Sequence, residues 1–113
     1  MRTALLATVG ALAASPTTAL VTSYCPGSSG EITASGEHVH AGIVATESRS
    51  IPFGTRIRFT PAVLGRRVYR VEDRMGLGDA ASFDVWTASC SRAIAWGIRH
   101  VRFTVTYPRH HHS

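Results

Sequence analysis

Apolar and polar positions alternate with a period of two over much of this chain. In residues 55–60, TRIRFT, Ile57 and Phe59 alternate with Arg56 and Arg58, the pattern of a strand with one buried face. RRVYRVED, 66–73, places Arg67, Tyr69, Val71 and Asp73 at one parity, and SFDVW, 82–86, sets Phe83 and Val85 against Ser82, Asp84 and Trp86. HVRFTVTY, 100–107, puts Val101, Phe103 and Val105 on a common face. Two shorter runs, 20–24 and HAGIVAT at 40–46, complete the strands. Between them SIPFGT carries Pro52 and Gly54, which read as a bend, and residues 26–30 form a loop rich in Gly and Ser.

A different pattern appears once. TASCSRAIAWG, 87–97, predicts a short helix with Thr87 as N-cap and Gly97 closing it. Strands this short and numerous, with one helix before the last, predict a mainly β domain closed into a small barrel. No repeat or linker divides it, so the expected domain runs over 20–108, with 109–113, including His110 to His112, as a disordered tail.

The first nineteen residues break the alternation. Arg2 precedes an apolar run, 4–14, and then small residues from Ser15 to Ala19. This reads as a secretory signal peptide over 1–19, the alternative being an N-terminal helix of a cytosolic domain. The run is well short of the roughly 20 residues that a membrane span needs. Composition adds little beyond charge. Of 113 residues, 44% are hydrophobic, the formal net charge is +5, and every basic residue among the twelve is arginine. Such a balance suits nucleic acid, a membrane surface or an acidic cell-wall polymer, and selects none of them. A lysine catalyst is excluded, because the chain has no lysine.

Cys25 and Cys90 are the only cysteines. In an exported chain of this size they read as one disulfide, and in a cytosolic one as two buried thiols. His38 and His40 share a face if the chain there is extended, but two histidines complete no metal site. DRMGLGD lacks the alternating acidic ligands of a calcium loop. No metal is assigned.

The carboxylates are more suggestive. Asp84 lies between Phe83 and Val85, and Asp73 ends an apolar run. A carboxyl half-buried among apolar groups, with a second carboxylate near it, tends to keep its proton, as a general acid at a glycosidic oxygen must. Plain turn chemistry competes: Asp73 then opens a turn through Gly76 and Gly78, with Asp79 bonding local backbone. Among the large aromatics Tyr24, Tyr69, Trp86, Trp96 and Tyr107, Trp86 shares a face with Asp84 and is the one expected to line a groove.

TASG at 33–36, AGIVATESRSIPFGTRIRF, YRVEDRMG, SFDVW and AWGIRHVRFTV occur in that order. Together they resemble the three-aspartate (3D) domain of bacterial cell-wall proteins, including membrane-bound lytic transglycosylase A and stationary-phase survival proteins. The resemblance covers residues 22–107. It implies a six-stranded double-psi β-barrel acting on the glycan strands of peptidoglycan, with the three acids at Glu47, Asp73 and Asp84, the last as catalytic acid. It further implies sugar contacts at Trp86, Thr33 and Gly36, and an exported or wall-associated monomer. No cofactor, nucleic-acid partner or stable membrane insertion is expected. The sequence departs from the family in two places: Glu47 stands where the family has its first aspartate, and the groove lysine of some relatives has no counterpart. A non-catalytic, expansin-like glycan-binding barrel is the alternative function.

Overall fold

A computed structural model describes residues 17–27, 31–76 and 82–109. The chain folds as a closed six-stranded barrel with one short helix. The strands are β1 (Thr17–Tyr24), β2 (Ile43–Thr46), β3 (Arg56–Val63), β4 (Arg66–Arg74), β5 (Phe83–Trp86) and β6 (Arg99–Thr106). The helix α1 (Cys90–Trp96) lies between β5 and β6. Around the barrel the order is β1-β5-β2-β4-β3-β6. Two neighbours, β1/β5 and β2/β4, are parallel and the other four pairs are antiparallel. This crossing order is consistent with a double-psi arrangement. Most of the proposed signal segment, Gly78 and Asp79 of the proposed turn, and His110 to His112 lie outside the described residues.

Period-two patterning builds the core. Val21, Val44, Ile57, Phe59, Tyr69, Val71, Phe83, Val85 and Val101 point inward and are almost fully buried. Phe59 meets Tyr69 and Phe83 edge-on, both with ring centroids 5.7 Å apart, and Phe83 meets Phe103 at 4.9 Å. Such edge-to-face pairs add about 0.5–1.5 kcal/mol each beyond the area they bury. Closure gives each of the six described strands a neighbour on both sides, which removes a route to aggregation.

Three details depart from the sequence reading. The first strand starts at Thr17, because Thr17, Thr18 and Ala19 pair with Phe103, Arg102 and Val101 of β6. The helix is capped by Ser89, whose hydroxyl accepts from the Arg92 N–H at 3.2 Å. Thr87 cannot serve, because its own N–H still donates to Tyr24 O at 2.9 Å in the β1/β5 ladder. Finally, Arg67, Tyr69, Val71 and Asp73 do not share a buried face. Tyr69 and Val71 point inward, but Arg67 is exposed near the β3/β4 turn and the register slips at Glu72. Val44 pairs with Val71 and Ala45 with Asp73, so a β-bulge turns Asp73 to the outer face.

Cys25 and Cys90 are bonded, with their Cα atoms 5.1 Å apart. The bond ties the end of β1 to the first residue of α1, and it fits an oxidising, extracellular setting. On the other side of the helix Trp96 is buried and donates its indole N–H to Val21 O at 2.8 Å. The helix is thereby fastened to β1 at both ends. Among the described residues no helix is long and apolar enough to cross a membrane.

Candidate functional site

The bulge and the parallel pairing assemble one row of side chains on the outer wall. Thr22 of β1 is the partner of Asp84 on β5, Asp84 of Ala45 on β2, and Ala45 of Asp73 on β4. Directly paired residues project to the same face, so both aspartates lie on one side of the sheet. Two strand spacings separate them, about 9.5 Å. Ala45 keeps that row low between them, and it packs in a small satellite cluster with Tyr24 and Met75.

Tyr24 is tied to Asp73 and feels the charge of both acids. Its hydroxyl donates to Asp73 Oδ2 at 3.0 Å, reaching from β1 past β5 and β2. Burial pushes its phenol well above the ordinary tyrosine value, and the charges of Asp73 and, to a smaller extent, Asp84 push it further. Sequence reasoning placed Tyr24 only among the large aromatics.

The two acids differ in their surroundings. Asp73 Oδ1 accepts from the backbone N–H of Ala34 and of Arg74, both at 2.9 Å, in addition to the Tyr24 bond on Oδ2. A carboxylate only accepts, so three donors hold Asp73 in one place. Asp84 is half-buried and its Oδ1 accepts from the Thr22 hydroxyl at 3.0 Å.

Ala34 belongs to a small hairpin over 31–39. Ile32 bridges His38, and Thr33 N–H donates to Glu37 O at 2.7 Å. Its tip docks on the bulge: Ser35 N–H donates to Glu72 O at 3.1 Å, using a carbonyl released from the ladder. Thr33 and Gly36, expected to touch substrate, shape this tip. Thr33 is buried, and its hydroxyl bonds Ser35 and accepts from Glu37 N–H. Gly36 closes the turn at φ +96°, a left-handed conformation that favours glycine.

Trp86 lies two residues beyond Asp84 on the same face of β5 and is partly exposed. It lines a hollow of about 180 Å³ together with Cys25, Pro26, Gly27, Glu31, His38 and Val39. Glu31 and His38 thus join the site; Glu31 carried no signal in the sequence, and His38 was weighed only as a metal ligand with His40. Glu47 is half-exposed just past the end of β2, and among the described residues no hydrogen bond or ion pair holds it. At the end of β4, Arg74 reaches the loop after β2, donating to Ser48 O at 3.0 Å and stacking on Phe53, 4.4 Å from the ring centre. Among the described residues no group of three or more His, Cys, Asp or Glu is placed to hold a metal ion.

No protein-family model matches the sequence, and no curated protein matches it.

Proposed function

We propose that the protein is an exported, monomeric enzyme of the three-aspartate, double-psi barrel type that cleaves peptidoglycan glycan strands. The observation that carries this reading is the placement of Asp84 and Trp86. They stand two residues apart on the outer face of β5, beside a hollow lined by the Trp86 ring. A sugar resting on the indole brings the next glycosidic oxygen toward Asp84, since alternate residues on a strand are spaced by about 6.7 Å.

In its protonated form Asp84 donates to the oxygen between N-acetylmuramic acid and N-acetylglucosamine, and the C1–O bond breaks as that oxygen leaves as a hydroxyl. The muramic 6-hydroxyl then bonds to C1, and its proton passes to the Asp84 carboxylate. Atoms and charge balance without added water, the acid is regenerated, and the product is an anhydro-sugar. One carboxyl suffices for both steps. Asp73 then acts as a positioning residue, orienting Tyr24 and the hairpin around the site, with Glu47 in support at the rim.

The same geometry favours a second reading, a glycan-binding module without catalysis. Its supporting observation is that three donors already hold Asp73 in place, as suits a structural rather than a proton-transferring carboxylate. Digestion of purified peptidoglycan, with mass analysis of the soluble products, separates the two. Only the enzyme releases anhydro-muropeptides.

A further inference from the structure

A second site lies away from the acidic row, at the other end of β4. Arg56 on β3 is the direct cross-strand partner of Arg70 on β4. Like charges placed directly opposite are destabilising, so the arrangement calls for compensation. Arg70 has some: its Nε donates to Glu72 at 2.6 Å, and its Nη2 donates to both oxygens of Glu37 at 2.9 and 3.0 Å. Its Nη1 has no partner among the described residues. Neither Arg56 nor Arg66 has a carboxylate partner among the described residues.

These three arginines, with His40, Gly42 and Tyr69, line a hollow of about 200 Å³. Arg66 is held in place there. Its guanidinium lies 5.9 Å from the Tyr69 ring centre and packs on Gly42, where an added Cβ would approach Nη1 to 3.1 Å. Gly42 also has φ +101°, so the backbone excludes a side chain from the place where Arg66 lies. Arg56 and Arg66 bring to one cavity two guanidinium forks that no carboxylate among the described residues compensates, and Arg70 adds a third.

We propose that this hollow binds a phosphate group, free or carried on a polymer chain. Guanidinium forks match the oxygens of phosphate. One fork satisfies the two coplanar oxygens of a carboxylate, whereas forks from two strands suit a tetrahedral group with oxygens facing several ways. The site does not depend on the glycan reading, since it shares no residue with the Asp84 row.

Calorimetric titration of the folded domain at constant ionic strength tests this, with inorganic phosphate and a short poly(glycerol phosphate) as the two probes. Saturable one-site binding is expected. A polymer preference of tenfold or more per phosphate identifies a chain-borne ligand, and equal affinity identifies free phosphate. Arg56→Gln with Arg66→Gln should weaken binding at least tenfold, whereas Arg102→Gln, an exposed arginine on β6 outside the hollow, should leave it unchanged. Arg66→Lys, which keeps the charge and loses the fork, should bind more weakly than the parent. Should the double variant melt at a lower temperature than the parent, the two single variants replace it. Absence of saturable binding, parent-like binding by the double variant, or an equal loss in Arg102→Gln would overturn the proposal.

Discussion

Asp73 and Asp84 are both partners of Ala45, one from each neighbouring strand, so a single small residue fixes them on the same outer face of the barrel. Asp73 reaches that face only because the bulge at Glu72 reverses the parity of β4, and Asp84 reaches it because β5 runs beside β1 and β2. The relationship is one of topology, and Tyr24 bonds Asp73 within it.

Removing the Tyr24 hydroxyl should be costly. Tyr24→Phe loses a hydrogen bond to a carboxylate, an interaction worth about 1.5–3 kcal/mol. The effect has a pH signature. The folded phenol is held above its unfolded value of about 10, so the folded state keeps a proton that the unfolded state gives up. Stability from this group is therefore complete below pH 10 and falls as the pH rises above it. Urea melts between pH 8 and 11 should show a shallower alkaline decline in Tyr24→Phe than in the parent. Tyr69, whose phenol is also raised by burial, should supply the part that remains.

The disulfide closes a loop of 65 residues, which in the chain-entropy model stabilises the fold by about 4 kcal/mol. Replacing both cysteines by serine should lower the denaturant midpoint accordingly while leaving the far-ultraviolet circular dichroism of the folded state unchanged. Midpoints equal within error would show that the loop is already constrained by other contacts, such as the Trp96 bond to Val21.

The first strand makes a prediction about the chain's start. Thr17 to Ala19 pair with β6, and Ala19 is buried. A chain beginning at Leu20 should melt at a lower temperature than one beginning at Thr17, and mature exported protein should begin at or before Thr17. Intact-mass analysis of secreted protein checks the second part, and a start at Leu20 would contradict it.

Much of this fold was legible because a half-buried strand prints its alternation directly: Ile57 and Phe59, Phe83 and Val85, and Val101 and Phe103 declare their faces. The tight Leu64–Gly65 turn was not legible. Leu64 takes φ +50° and Gly65 φ +81°, and a leucine carries none of the turn chemistry that announces such a hairpin. The cap was misread for a related reason, since Thr87 and Ser89 both belong to the residue types that cap helices and the bond of Thr87 N–H to Tyr24 O, which ties Thr87 to the strand ladder, is a tertiary contact. At the site, Asp84 and Trp86 were readable from parity on one strand. The contribution of Tyr24 was not, because it depends on which strands become neighbours in the closed barrel. The bulge at Glu72, which turns Asp73 outward, leaves no mark in a period-two pattern.

Trp86 tests the hollow without touching the acid. Trp86→Ala should weaken binding to soluble glycan fragments about tenfold, roughly 1.4 kcal/mol, with little change in melting temperature because the ring is partly exposed. Affinity measured by titration with chitooligosaccharides or muropeptides gives the answer. Unchanged affinity would move the sugar away from this face.

The most direct test of the central claim is the product profile of Asp84→Asn. The amide keeps the shape and can still pair with Thr22, but it has no carboxyl proton to give. Purified peptidoglycan treated with the parent domain should release anhydro-muropeptides, and Asp84→Asn should release them about 10²–10⁴-fold more slowly while still co-sedimenting with the wall. Release of the same products at the parent's rate, or no anhydro product from the parent itself, would contradict the account.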